Sequence, residues 1–454
     1  MVGVVTARDI AGWEQELTAL TDGLSWLFNR PESKRVFADF VRALLADVPK
    51  KNSWGLAEHV GYPTPRPFEH LLGGAVWDAD LLRDAVRALV VDRLGSPEAV
   101  LVVDDTQALK KGTRSVGVAP QYYGLTGDVA NVQTMVMCTY ASEHGHAFTD
   151  RELYLPEVWT DDPARCRAAG VPAGCRFATK PRLAVEMLAR AVEVGTPFRW
   201  VAADSGYGKD PGLRGFCHDR RLSYVLAVPK SLPLLDARGR PTRPDRLHAR
   251  LPAGVFERRS CGAGAKGVRW YDWAALAVAV AVADERPADG HALLVRKSVA
   301  PRTRDGKTSY EFEYFLVHAP APTGVPDMVR AAGARWTVEE DNGQGKDALG
   351  LDQYQVRKWT PWHRHVTINM LAHAFLAATR ADLGKGPPDP GDRRLIRHST
   401  RSIRRLLATT LLAARHTLPD NVLARELRRM AHQNRTLLSH YRRRGDLAPL
   451  VLRV

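Results

Sequence analysis

The sequence predicts a mixed α/β fold: a five-stranded mixed sheet with helices, interrupted by a β-rich insertion and flanked by helical N- and C-terminal regions. Three observations carry this. Apolar residues recur at helical spacing through residues 8–95, and then collapse into a continuous run, Ala99-Val-Leu-Val-Val103. From there the elements come in the order strand, strand, strand, helix, strand, helix, strand. Residues 229–325 break the pattern with Pro-, Gly- and Arg-rich sequence that carries further strand-like segments.

Residues 1–95 read as a helical N-terminal region. Ile10, Trp13, Leu17, Leu20 and Leu24 share one helix face, and Phe37, Phe40, Val41, Leu44 and Leu45 repeat the pattern. In Lys50-Lys-Asn-Ser-Trp-Gly-Leu-Ala-Glu-His-Val-Gly61, Ser53 is placed to cap a short helix and Gly61 to end it. A turn with Pro63, Pro65 and Pro67 and a helix around Phe68–Leu72 complete a helix-turn-helix-like pair, with Lys50 and Lys51 at its entry. That pair reads as DNA-binding, although small helical pairs are also common in ordinary cores. Leu81–Leu94 adds another amphipathic helix.

Residues 96–228 read as the first part of a catalytic core. Ala99–Val103 is a strand buried on both faces, ending in Asp104-Asp105-Thr106. Carboxylates at the end of a buried strand are costly unless paired. A metal ion is one partner; a capping or turn aspartate is the plainer reading. Lys110-Lys-Gly-Thr-Arg-Ser-Val-Gly117 suits a phosphate backbone near those acids, or an ordinary basic hairpin loop. Asn131–Ala141 and Ala147–Leu155 read as two more strands of an antiparallel meander. After a Pro-, Asp- and Arg-rich loop comes a helix, Pro181–Val194, with Leu183, Met187, Leu188 and Ala191 on one face. Phe198–Ala203 is a fourth strand, again ending in an acid, Asp204-Ser-Gly-Tyr-Gly208, whose glycines let the chain turn sharply. A short helix, Leu213–Arg220, and a fifth strand, Leu222–Val228, follow. This order matches the ribonuclease H-like arrangement, in which the last two strands join parallel through helices. It sets the ends of the first and fourth strands side by side, and so brings Asp105 and Asp204 together.

Residues 229–325 read as a β-rich insertion, with strands at Val268–Leu276, His291–Ser298 and Tyr310–His318. Residues 326–384 read as the second part of the core, a helical pattern running from Asp327–Ala332 on to Arg380. In Arg335-Trp-Thr-Val-Glu-Glu-Asp-Asn-Gly-Gln-Gly-Lys346, residues Arg335, Glu339 and Lys346 fall near one helix face. They form either a solvated stripe or a metal-binding carboxylate between phosphate clamps. Trp336, Trp359, Trp362, His363, His365 and His373 read first as packing groups. Lys385–Asp392 is a linker, and residues 385–454 form a basic helical C-terminal region. Arg401, Arg404, Arg405, Arg428, Arg429, Arg442 and Arg443 lie along it, on a solvated face or against a DNA backbone.

A chain of 454 residues has room for two to four domains, and 45% hydrophobic content is that of a globular protein. Lys plus Arg number 65 against 50 for Asp plus Glu, a formal charge of +15 that fits a polyanionic partner, most often nucleic acid. Cys138, Cys166, Cys175, Cys217 and Cys261 are scattered and odd in number, which argues against a disulfide framework or a structural zinc site. No apolar h-region opens the chain, and its longest apolar run, Trp273–Ala283, is too short to span a bilayer. The sequence therefore reads as soluble and cytoplasmic, with no membrane partner.

Weighed together, Asp105, Asp204 and Glu339 are carboxylates whose ionised forms persist side by side only with a cation between them. Oxygen ligands select Mg²⁺ or Mn²⁺ over zinc. Two such ions, about 3.5–4 Å apart, activate a water or hydroxyl and stabilise the leaving oxygen of a phosphodiester. Val102-Val-Asp-Asp-Thr106 with Lys110-Lys-Gly112, Ala203-Asp-Ser-Gly206, and Arg335-Trp-Thr-Val-Glu339 through Lys346 to Arg357 resemble the DDE transposases of bacterial insertion sequences. The branch resembled has a β-rich insertion inside its ribonuclease H-like core, and the resemblance covers roughly residues 30–380. Arg335, Glu339 and Lys346 match the R, E and K of the family signature Y-x2-R-x3-E-x6-K, while the tyrosine position falls on Ala332.

The resemblance makes Asp105 the first acid, because the family's acid directly precedes Thr, with Asp104 its neighbour. Asp204 becomes the second acid and Glu339 the third, ahead of Glu340. It implies two Mg²⁺ or Mn²⁺ ions on these acids, with DNA contacts from Arg335, Lys346, Lys110, Lys111 and Arg357. Gln107-Ala-Leu109 stands where relatives carry Gly-Phe, so that loop departs from the family. The implied activity is metal-dependent nicking at the ends of a mobile element, followed by strand transfer. The implied partners are double-stranded DNA, as terminal inverted repeats and target, and a second copy of the chain in a synaptic homodimer near the bacterial nucleoid. Two alternatives stand beside it: a structure-selective nuclease of the same chemistry, and a catalytically silent DNA-binding regulator, against which the intact acids argue.

Overall fold

A computed structural model describes residues 7–264, 267–281, 287–304, 307–320, 323–383 and 399–412. Five helices come first: α1 (Ala7–Gly23), α2 (Pro31–Leu45), α3 (Ser53–His59), α4 (Arg66–Gly73) and α5 (Ala79–Leu94). The periodic residues Phe37, Phe40, Val41, Leu44 and Leu45 of α2 are all buried, as are Leu56, Phe68, Leu71 and Leu72 of the α3–α4 pair. Asn52, one residue before the expected Ser53, caps α3, its side chain accepting from the Gly55 N–H at 3.0 Å. Lys51 is turned inward. Its ammonium donates to the carbonyls of Leu44 (2.6 Å) and Ala46 (2.5 Å), so it finishes α2 instead of waiting for a phosphate. Burial pulls it down to about 7.

The sheet begins with β1 (Val100–Leu109), β2 (Ala119–Tyr123), β3 (Asp128–Ser142) and β4 (Gly145–Leu153). Helices α6 (Glu157–Thr160), α7 (Pro163–Ala169) and α8 (Lys180–Glu193) lead to β5 (Trp200–Ala203). Then come α9 (Ser205–Gly208), α10 (Pro211–Asp219) and β6 (Ser223–Val228). The five expected strands stand in the order β4-β3-β1-β5-β6, antiparallel from β4 to β1 and parallel from β1 to β6. That is the ribonuclease H-like order. β1, however, does not end at its acids. It stays paired with the long β3 as far as Leu109↔Val132, whereas its pairing with β5 stops at Val103↔Ala203. Asp104 and Asp105 are therefore strand residues, beside the point where the parallel neighbour runs out.

The insertion supplies β7 (Leu234–Asp236), β8 (Pro241–Thr242), α11 (Pro244–His248), β9 (Glu257–Gly264), β10 (Gly267–Ala281) and β11 (Pro287–Ser298). The short hairpin β12 (Arg302–Arg304) and β13 (Lys307–Ser309) precedes β14 (Phe312–His318). Its strands extend the core sheet instead of forming a separate layer. β14 pairs antiparallel with β6, β11 with β14 and β10 with β11, giving twelve strands in all. Two apolar layers form on the alternating residues of β1 and β5. Leu101, Val103 and Val201 belong to one, and Val100, Val102 and Ala202 to the other.

Beyond the insertion, the expected single helical stretch is three helices: α12 (Val325–Ala334), α13 (Trp336–Leu349) and α14 (Trp359–Leu383). Gly350, at φ +68°, closes α13 in the left-handed region, and a Cβ there would meet the Lys51 side chain at 2.6 Å. α12 and α13 cover the Val100–Val102 layer through Val329, Ala331 and Val338. α14 is buried along most of its length; Trp362, His363, His365 and His373 pack inside it. α15 (Thr400–Thr410) carries Arg401, Arg404 and Arg405. The linker 385–392 and Arg428, Arg429, Arg442 and Arg443 lie outside the described residues. All five cysteines are free thiols, and no described helix is long and apolar enough to cross a membrane.

Candidate active site

Strand alternation decides which acid faces which layer. Val100 and Val102 point into the layer under α12 and α13, so Asp104 follows them to that side. The parallel register Val103↔Ala203 sets Asp204 next to Asp104. Burial, then the charges of Asp204 and Asp105, push the Asp104 carboxyl up to about 7. Asp204 caps α9, accepting from the N–H groups of Gly206 (2.8 Å) and Tyr207 (3.2 Å). Asp105 turns the other way. Its carboxylate accepts from Lys180 Nζ of α8 at 2.8 Å and from the Tyr207 hydroxyl at 3.3 Å.

Glu339 lies in the first turn of α13 and pairs with Arg335 at 2.9 Å. Arg335 also approaches Glu313 of β14, at 3.6 Å. Burial works against its charge, but Glu313, Glu339 and Asp104 outweigh it and hold the guanidinium's pKa up. A cleft of about 510 Å³ opens here, lined by Asp204, Ser205, Lys230, Glu313 and Arg335 among others. Asp204 on its wall and the neighbouring, more deeply buried Asp104 offer only oxygen ligands, the chemistry of a hard divalent cation site. Among the described residues no three acidic, His or Cys side chains converge closely enough to hold an ion, and Glu339 is paired with Arg335.

Residues 24–261 match the family model of the DDE superfamily endonucleases. The chain belongs to this family. The "Probable transposase for insertion sequence element IS701" of Microchaete diplosiphon is 26% identical over 186 residues, 40% of this chain and 46% of that protein. The chain thus matches about half the length of that curated relative. The family match takes in Asp104, Asp105 and Asp204 and stops before Glu339.

Four of the cations expected to contact DNA differ in their surroundings in this DDE endonuclease. Lys110 is committed to the fold: its ammonium sits 3.5 Å from the Tyr354 ring centroid and donates to the Tyr354 carbonyl at 3.1 Å. Burial pulls it down to about 8. Lys346 is half-buried, lowered by burial against the raising charges of Asp352 and Asp347. Lys111 and Arg357 are exposed.

Several site residues carried no recognisable signal in the sequence. Lys180 opens α8 without a motif, and Glu313 lies in the insertion. Asp341, two residues past Glu339, is fully buried. It binds His146 Nδ1 at 2.6 Å and Thr139 Oγ1 at 2.9 Å, and lies 3.3 Å from His373 Nε2. These contacts fasten α13 to β4, β3 and α14. Burial acts to lower His146, but Asp341 and Glu340 outweigh it and raise it to about 9.

Proposed function

We propose that this DDE endonuclease is a transposase of an insertion sequence, which nicks DNA at the ends of a mobile element and transfers the strands to a target. The observation that carries the reading is Asp104 beside Asp204, just past the last paired residues of two adjacent parallel strands and facing the layer that holds Glu339 and Arg335. On this reading the first acid is Asp104, not Asp105, because Asp105 is already neutralised by Lys180 on the opposite face. Asp104 and Asp204 would hold Mg²⁺ or Mn²⁺, with Glu339 the third ligand. A divalent cation bound there supplies Lewis acidity at a phosphodiester.

The chain's own residues do the rest. Asp204 is oriented by the N–H groups at the start of α9, so its carboxylate is fixed before substrate arrives. The Arg335–Glu339 ion pair has to open for Glu339 to act as a ligand, and that frees Arg335 to hold a phosphate. Lys346, two turns along α13, extends the cationic edge. Asp105, Lys180 and Tyr207 brace β1 from behind. The substrates are then the terminal inverted repeats and target DNA, brought together by a homodimer.

The test is cleavage of a labelled duplex carrying the gene's own flanking repeat, in Mg²⁺, in Mn²⁺ and in EDTA, by wild type and Asp204→Asn. Metal-dependent nicking at the repeat end, lost in the variant, is the expected result. A well-folded wild type that binds the repeat but never cuts it would sink the reading in favour of a silent DNA-binding protein.

A further inference from the structure

A second cleft, of about 820 Å³, lies beyond the end of β1. Its floor is apolar, with Val118, Ala119, Pro120 and Trp159, and its rim carries Arg114, Arg165, Arg357 and Lys358. Among the described residues no acidic side chain lines it. The cleft is built from fastened parts. Val116 N–H donates to the Arg357 carbonyl at 2.9 Å, and Trp159 Nε1 to the Val118 carbonyl at 2.8 Å. Arg165 stacks 3.8 Å from the Trp159 ring centroid and donates to the Thr113 carbonyl at 2.9 Å. Arg114, Arg357 and Lys358 are exposed.

The wall of this cleft continues up the β2–β3 hairpin. Pro120 and Asn131 line the cleft and are cross-strand partners. Two residues further on, Tyr122 and Val129 are partners on the same face. Tyr122 is 65% exposed and Val129 70%, an uncovered aromatic and apolar surface in line with a cationic rim. A flat ring and an apolar floor suit the faces of bases, and a rim of cations suits a phosphate chain. Together these are the features that bind single-stranded nucleic acid without reading its sequence.

We propose that this cleft and the hairpin face beyond it hold one unpaired DNA strand, its phosphates along Arg114, Arg357 and Lys358 and a base stacked on Tyr122. The inference rests on the reading of DNA as substrate and adds where a separated strand lies. Asp104 pairs with Met137 on β3, and Asn131 is six residues along the same strand. At about 3.4 Å per residue the cleft is roughly 20 Å from the acids, the rise of about six base pairs.

The test is fluorescence anisotropy in EDTA, where nothing is cut, at several salt concentrations. The probes are a labelled oligothymidylate of about 15 nucleotides and a duplex of the same length. The Lys358→Ala variant should bind the single strand about fivefold more weakly and lower its salt slope by about 0.7. Tyr122→Ala should weaken it about tenfold at unchanged slope. Both should hold the duplex to within about twofold of wild type, with unchanged melting. Unaltered single-strand binding in both variants would overturn the proposal, and so would equal losses on single strand and duplex. If the wild type still cuts its repeat in Mg²⁺, that failure leaves the transposase reading standing; a wild type that binds no DNA fails both.

Discussion

Asp104 and Asp105 are joined by one peptide bond and meet different partners. Because successive strand residues point to opposite faces, only one of them can share a layer with Glu339. Asp104 does, and its neighbour Asp204 helps push its carboxyl up to about 7 after burial. Asp105 meets Lys180 instead. Asp104→Asn and Asp204→Asn should each lower repeat cleavage about 10³-fold or more while leaving DNA binding intact. Asp105→Asn, which removes a brace, should cost about 10–100-fold. Single-turnover cleavage checks this, and an Asp105 variant as inactive as Asp204→Asn beside an active Asp104→Asn would reverse the assignment. Arg335 is the other residue whose role a substitution separates. Arg335→Ala should weaken binding of DNA ends and flatten the salt slope by about 0.9, the share of one phosphate contact. An unchanged slope would leave Arg335 as the partner of Glu313 and Glu339 only.

At the scale of elements, the site depends on two close fits. The turn that presents Asp204 lies against β6: a Cβ on Gly208 would meet the Ala227 carbonyl oxygen at 2.0 Å. Gly208→Ala should therefore destabilise the fold by about 2–3 kcal/mol, read as a lower urea midpoint, with cleavage lost as the Asp204 turn shifts. A wild-type midpoint would show that α9 can move away from β6. Helix α13 is held by Asp341, whose fully buried carboxylate meets groups from three elements. Asp341→Asn leaves the protonated His146 with Glu340 alone as counter-charge and should cost about 3 kcal/mol. The same urea series checks it. Neither fit was visible beforehand, since Gly208 reads as a turn residue and Asp341 as one more polar residue on an amphipathic helix.

Across the whole molecule, buried histidines set the acid limit. Burial pulls His363 and His365 down to about 3, and burial with the charge of His218 takes His318 to about 4. Each is neutral when folded and gains its proton near 6.5 when unfolded. The unfolded state binds more protons in that interval, so their contribution is complete above about pH 6.5 and is lost as pH falls through 4 to 3. His146, raised to about 9, has the opposite sign: its contribution is present below about 6.5 and is lost as pH rises through 9. Melting temperatures across that range should fall at both ends. A curve that stays flat down to pH 4 would mean that these histidines are hydrated in solution. The mechanical unit is also larger than the expected core, because β14, β11 and β10 carry hydrogen bonding outwards from β6.

The order of strands and helices, the five-strand arrangement and the basic excess could all be read from the sequence. Each depends on local periodicity or on composition, which no distant contact alters. Glu339 and Asp204 were singled out for the same reason, by a spaced motif and by an acid after an apolar run. The tertiary structure alone decided what two chain segments settle jointly. β1 runs on because β3 is long enough to pair with it, and so its acids alternate in direction. Lys110 turns inward because the carbonyl of Tyr354, distant in the chain, accepts from its ammonium, and Lys51 because burial closes over the end of α2. The insertion joins the sheet because β6 has a free edge. Those outcomes rest on long-range pairing and desolvation, to which a linear pattern of residues is blind.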